Sequence, residues 1–165
     1  MAFGNLFYFA YGSNMNPDRI RARLPEARPV GKAYLCGWRL RERLYADIEP
    51  HKGGRVEGVL YLVTQTELRR LDAYEGFPRV YGARGVIAHL PSPNPATPEG
   101  RVVAMTYVMT EETRKEREGK PYPEDYRIIC SVGARYWGVK DSFGQPQSKP
   151  LMRRWLADLR GLHRA

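Results

Sequence analysis

The sequence predicts a mixed α+β fold in a single compact domain over residues 1–165, and three observations carry that prediction. Segments near 6–11, 33–44, 56–63, 84–90 and 102–109 are rich in β-branched and aromatic residues and read as strands. Segments near 16–24, 65–75, 123–137 and 149–160 show helical apolar spacing with start signals and read as helices. Neither a linker nor an internal repeat divides the chain's 165 residues, a length that suits one hydrophobic core.

The first strand is the apolar run Leu6-Phe7-Tyr8-Phe9-Ala10. Asn16-Pro17-Asp18 then opens a helix, because asparagine caps well and proline suits the first helical position. Tyr11-Gly12-Ser13-Asn14 therefore fills a strand-to-helix turn. In Arg39-Leu40-Arg41-Glu42-Arg43 the alternation puts the arginines on one strand face, either a solvated sheet surface or a weak polyanion patch. Val59-Leu60-Tyr61-Leu62-Val63 is a further strand. Thr64 and Glu67 have capping-box spacing, Leu68 and Leu71 share a helix face, and Gly76 is a C-terminal stop. Glu75 is thus placed at a helix C-terminus. Pro91-Ser92-Pro93-Asn94-Pro95 belongs to a surface connection before the strand at 102–109. The charged stretch 111–120 reads as a mobile loop or an exposed helical turn. Pro123 and Pro150 start the last two helices; Ile129, Val132 and Tyr136 have helical spacing in one, Trp155, Leu156 and Leu159 in the other.

A hydrophobic fraction of 42%, with 11 Tyr, 5 Phe and 3 Trp, supports a packed interior and argues against disorder. No apolar run is long enough to span a membrane. Met1-Ala2-Phe3-Gly4-Asn5 has no basic leader, so a cytoplasmic location is expected. The two cysteines, Cys36 and Cys130, suggest neither a disulfide framework nor a zinc site, and Cys130 reads as a small core residue. His51, His89 and His163 lack ligand spacing, so neither a metal nor a cofactor is expected. A net charge of +9 and a pI near 9.8 raise the question of nucleic acid. The arginines are spread along the chain, with Arg19-Ile20-Arg21-Ala22-Arg23 the nearest thing to a second cluster, and no nucleic-acid partner is expected.

Two short clusters carry chemistry. A strand-to-helix turn through Gly12, Ser13 and Asn14 can converge backbone N–H groups on a small anion; the same residues also make ordinary turns. Glu75 sits where the helix dipole disfavours a carboxylate. It is either a solvated surface glutamate or a residue kept there for function.

In their order along the chain, Phe9-Ala10-Tyr11-Gly12-Ser13-Asn14, Leu71-Asp72-Ala73-Tyr74-Glu75-Gly76, Tyr81, the strand at 105–110 and the segment 126–134 resemble the gamma-glutamylcyclotransferase family. The resemblance touches most of residues 6–138. It implies a small, barrel-like mixed sheet flanked by helices. It also implies that Tyr11, Gly12, Ser13 and Asn14 hold the glutamyl part of a small γ-glutamyl substrate and that Glu75 is the acid/base. Tyr81, Tyr107 and Tyr126 are further substrate-binding candidates. The implied reaction is intramolecular cyclisation to 5-oxoproline, releasing an amino acid or amine without metal or cofactor. Met15, Asn16, Phe77-Pro78-Arg79, the stretch 111–122 and the tail after 138 depart from the family pattern. The competing reading is a non-catalytic binding module on the same fold, which would keep the turn and have no use for an acid/base at position 75. If the enzyme reading holds, the turn and Glu75 face one cavity across about sixty residues of sequence.

Overall fold

Five strands form where the β-branched and aromatic residues concentrate: β1 (Leu6–Ala10), β2 (Arg28–Arg43), β3 (Tyr45–Val63), β4 (Tyr81–His89) and β5 (Arg101–Met109). The computed structural model describes residues 4–163; Met1, Ala2, Phe3, Arg164, Ala165 and the side chains of Leu162 and His163 lie outside the described part. The strands close into a barrel in the order β1-β3-β2-β4-β5, so no long sheet edge is left open. β2 and β3 make one long antiparallel hairpin, with Arg43 opposite Tyr45 at its tip and Leu44 turning the chain at φ 63°. β1 runs antiparallel to β3 and parallel to β5, with Tyr8 opposite Met105. The sheet is therefore mixed, as expected.

Both hairpin strands are longer than the apolar pattern predicts. β2 begins at Arg28 and β3 at Tyr45, whereas strands from 33 and 56 are expected. Residues 50–53 are exposed and so carry no apolar period. Pro50 pairs with Trp38 and Arg55 with Cys36, so residues 51–54 bulge out between two stretches of ladder; a second irregularity lies between Pro29 and Gly31. Phe9, Leu35, Ile48, Val59 and Leu60 are fully buried in the core; Val59 and Leu60, adjacent on β3, face opposite sides of the sheet.

The helices are α1 (Pro17–Arg23), α2 (Gln65–Tyr74), α3 (Glu111–Arg117), α4 (Glu124–Trp137) and α5 (Lys149–His163). Asn16 caps α1 by accepting from the Asp18 and Arg19 N–H groups. α2 has the predicted capping box between Thr64 and Glu67, and Glu75 is its C-cap; Gly76 follows at φ 63°. The charged stretch forms a helix, α3, capped by Thr110. α4 buries Cys130 and Ala134 in the main core and Ile128 and Val132 against Trp155 of α5. Packed on two sides, it does not show the single 129/132/136 face, and Tyr136 is exposed. In α5 Trp155 is buried, Leu159 packs beside it and Leu156 is exposed.

α4 fixes the turn that follows β1. A Cβ on Gly133 would lie 2.5 Å from the Asn16 nitrogen and 2.7 Å from the Met15 carbonyl carbon, so only glycine permits this approach. Trp137 Nε1 donates to the Met15 carbonyl at 2.9 Å, and Asn16 Nδ2 donates to the Ile129 carbonyl at 3.2 Å.

Arg39, Arg41 and Arg43 meet carboxylates, which argues for neither a bare solvated face nor a polyanion patch. All three pair with Glu49, Arg41 and Arg43 also pair with Glu118, and Arg43 reaches the fully buried Asp47 at 2.8 Å. Burial pushes the Glu49 carboxyl up, yet Arg43, Arg39 and Arg41 outweigh it and hold the group at about 2. Among the described residues no helix is long and apolar enough to cross a membrane, and no cluster of His, Cys, Asp and Glu could hold a metal ion.

Candidate active site

The strand-to-helix turn is a 3₁₀ turn, Ser13–Met15, entered through Gly12. The first N–H groups of any helical turn lack intrahelical acceptors; here the Met15 and Asn16 N–H groups bond back to the Gly12 and Ser13 carbonyls, while those of Ser13 and Asn14 meet no protein acceptor among the described residues. Packing locks the turn from behind. Tyr61 Oη donates to the Asn14 carbonyl at 3.0 Å, and α4 grips Met15 and Asn16 as described above. Gly12 is required by close approach: a Cβ there would sit 2.8 Å from Tyr126 Oη and 3.2 Å from Ala46 Cβ.

This turn forms one wall of a cavity of about 420 Å³. Glu75, at the end of α2, forms the facing wall. Asn14 is 61 positions away in sequence, and its Nδ2 lies 3.5 Å from Glu75 Oε1. Asn14 is itself held on two sides, donating to Tyr8 Oη at 3.0 Å and accepting from Arg23 Nη1 at 2.9 Å. Every residue the sequence singled out lines this cavity: Tyr11, Gly12, Ser13, Asn14, Glu75, Tyr81, Tyr107 and Tyr126.

The electrostatics of the cavity are unusual at Glu75. Burial raises its carboxyl from the ordinary value to about 7, although the Arg23 and Arg19 charges pull it down. Desolvation wins because it acts on the whole carboxylate, while the two guanidinium groups face water on one side. The group is therefore poised to take and return a proton near neutral pH. The tyrosines behave differently. Burial drives the hydroxyls of Tyr11, Tyr81 and Tyr126 well above the ordinary range, and burial with the neighbouring Asp72 does the same at Tyr107. They remain protonated, and three are committed to protein acceptors. Tyr11 donates to the Tyr107 carbonyl, Tyr107 to Asp72, and Tyr81 to the Ala46 carbonyl at 2.9 Å. Tyr126 Oη accepts from the Ala46 N–H at 3.1 Å. All four rings line the cavity; Tyr81 ties the hairpin tip to β4 and Tyr126 ties it to α4. Among the described residues Ser13 Oγ has no protein partner, which leaves it available to a ligand.

Sequence reasoning did not place Tyr8, Arg19, Arg23, Tyr45 or Arg117 in the site, yet all line the cavity. One signal was present for two of them: Arg19 and Arg23 are four apart, hence on one face of α1. Tyr45 and Arg117 arrive from the hairpin tip and from α3, and nothing local marks them.

Comparison with known proteins adds an independent line. The model of the gamma-glutamyl cyclotransferase, AIG2-like family matches residues 8–127. A human protein named gamma-glutamylcyclotransferase is 29% identical over 153 residues, covering 82% of this chain and 73% of its own length. A solved structure named gamma-glutamyl cyclotransferase superposes with a TM-score of 0.68 at 24% identity, over 93% of this chain and 99% of the other. A human structure described as an uncharacterized protein also superposes at 0.68, with 25% identity over 92% and 98% of the two chains. The matched span runs from β1 to the start of α4 and contains the whole turn, Glu75 and the cavity tyrosines Tyr11, Tyr81, Tyr107 and Tyr126. The chain thus belongs to the gamma-glutamyl cyclotransferase, AIG2-like family and is an enzyme of the gamma-glutamyl cyclotransferase type.

Proposed function

We propose that the protein cyclises a γ-glutamyl compound to 5-oxoproline and releases the attached amino acid or amine, with Glu75 as the acid/base. The observation that carries this reading is the single cavity carboxylate facing a turn of free N–H donors, 3.5 Å from Asn14 and with a proton affinity near neutral. The turn and the nearby Arg23 and Arg19 hold the substrate α-carboxylate. That grip folds the glutamyl chain so that its α-amine reaches its own γ-carbonyl, and such orientation alone is worth effective molarities of roughly 10⁵–10⁸ M.

The substrate enters as an α-ammonium, which Glu75 deprotonates. The amine nitrogen then bonds to the γ-carbon, and the carbonyl oxygen takes the charge of a tetrahedral intermediate. Ser13 Oγ and the turn N–H groups supply donors for that oxygen. Glu75 returns its proton to the leaving nitrogen, the bond from the γ-carbon to that nitrogen breaks as the oxyanion re-forms the carbonyl, and the second proton of the ring nitrogen passes through the freed Glu75 carboxylate to the departing amine. The lactam and a free amine leave. Every bond made or broken lies within the substrate, so no protein nucleophile takes part.

The test is release of 5-oxoproline by the purified protein from a panel of γ-glutamyl amino acids, γ-glutamylamines and glutathione. Turnover of one class supports the reading. No release from any class, with 5-oxoproline or L-glutamate still binding the cavity, would overturn it in favour of a binding module.

A further inference from the structure

The cavity holds more positive charge than the proposed chemistry uses. Three arginines line it, Arg19, Arg23 and Arg117, against one carboxylate, Glu75. The α-carboxylate of a γ-glutamyl group answers to the first two. Arg23 bonds to Asn14 of the turn, and Arg23 and Arg19 are the charges felt at Glu75.

Arg117 belongs to the other side. Its guanidinium lies over the Tyr45 ring, 5.4 Å from the centroid. Tyr45 packs edge-on against Tyr126 at 4.9 Å, and the Arg117 charge is felt at Tyr81. The side chain is half-buried. No carboxylate among the described residues pairs with Arg117, although its neighbours Arg114, Lys115 and Glu118 are all paired. Its backbone is held firmly: Glu118 is clamped by Arg41 at 2.5 Å and Arg43 at 2.7 Å, and Thr110 caps the start of α3. A guanidinium stacked on an aromatic ring, aimed into a cavity and free of any protein anion is ready to bind one.

Resting on the cyclisation reading above, we infer that Arg117 binds a carboxylate on the leaving group and so sets specificity: a γ-glutamyl compound whose released amine carries a free carboxylate on the carbon next to its nitrogen is preferred over one whose released amine has none. A γ-glutamylamine presents one carboxylate and one ammonium to this cavity and leaves Arg117 unanswered. A γ-glutamyl amino acid presents two carboxylates, one for each cationic wall.

The experiment compares γ-glutamylalanine with γ-glutamylalaninamide, which differ only in the leaving-group carboxylate. It measures kcat/KM for 5-oxoproline release by the wild type, Arg117→Gln and Arg117→Lys. The wild type is expected to prefer the acid. Arg117→Gln is expected to lower the acid-to-amide ratio by roughly 10- to 100-fold, as for a lost charged hydrogen bond. Arg117→Lys keeps the charge without the planar fork and should retain part of the preference. Equal ratios for the wild type and Arg117→Gln overturn the inference. If the wild type releases no 5-oxoproline from either compound, the cyclisation reading fails separately. Arg117 is then judged by calorimetric titration of the same two compounds. An acid preference abolished in Arg117→Gln supports the inference, and equal affinities overturn it. Thermal melts of the variants exclude misfolding as the cause.

Discussion

Replacing Glu75 with glutamine should damage activity and improve stability, and the two effects come from one cause. Glutamine keeps the shape of the side chain and an oxygen for Asn14 Nδ2, which lies 3.5 Å from Oε1, but it cannot carry a proton back and forth. Loss of a general base lowers kcat by roughly 10²–10⁴-fold. The stability effect follows from the burial that tunes the group. Burial lifts the carboxyl from 4.5 to about 7 in the folded chain, so the native state binds a proton over that interval that the unfolded state does not. Stability from this group is fully present below pH 4.5 and is lost as pH rises through 7. Ordinary charging of the carboxylate thus costs the folded state on the order of 1–3 kcal/mol at pH 8, at about 1.4 kcal/mol per pH unit and with an allowance for solvent at the cavity mouth. Glutamine never charges and escapes that cost. Glu75→Gln should melt several degrees higher than the wild type at pH 8, since 1 kcal/mol moves Tm by about 2–4 °C in a chain of this size. At pH 4.5 the two proteins should melt together. The assay pairs 5-oxoproline release with thermal melts from pH 4.5 to 8.5. Turnover within about threefold of the wild type would show that Glu75 is not the acid/base. Melting differences that do not change with pH would show that its carboxyl is not desolvated.

Three other outcomes are expected. Gly12→Val should cut kcat/KM by at least about tenfold, because its Cβ would lie 2.8 Å from Tyr126 Oη and the turn must shift off its position; 5-oxoproline kinetics alongside a thermal melt separate this from unfolding. Gly133→Ala should cost about 1–3 kcal/mol in urea unfolding, since the methyl meets Met15 and Asn16 backbone rather than a yielding side chain. Arg43→Met should cost about 3 kcal/mol by the same measurement, because it strips a partner from the fully buried Asp47, which keeps only Arg114 at 3.1 Å and the Met109 N–H at 2.9 Å.

Local chemistry made much of this protein legible from its residues. Asn16 and Pro17 start a helix wherever they stand, because the cap and the fixed φ act within one turn. Thr64 and Glu67 close their box over four residues for the same reason. The run from Leu6 to Ala10 is apolar on both faces, and its last three residues, Tyr8, Phe9 and Ala10, are buried. The ordered motifs around Gly12 and Glu75 carried the family resemblance, and they carried the site with it. What sequence could not supply was anything that depends on the barrel closing. Residues 50–53 belong to β3 although they show no apolar period: Pro50 pairs with Trp38, residues 51–54 bulge out and the ladder resumes at Arg55, a register that no side-chain pattern announces. Arg39, Arg41 and Arg43 were legible as one face, but only the return of β3 and the end of α3 bring Glu49, Asp47 and Glu118 onto it. The Glu75 carboxyl reads as a misfit from its place at a helix end. Its proton affinity near 7 depends on desolvation by walls drawn from β1, α1, β4 and β5. Arg117 and Tyr45 reach the same cavity from segments about seventy residues apart. Short-range hydrogen bonding and burial are written residue by residue, whereas charge, desolvation and cavity shape are sums over neighbours that only the closed tertiary structure assembles.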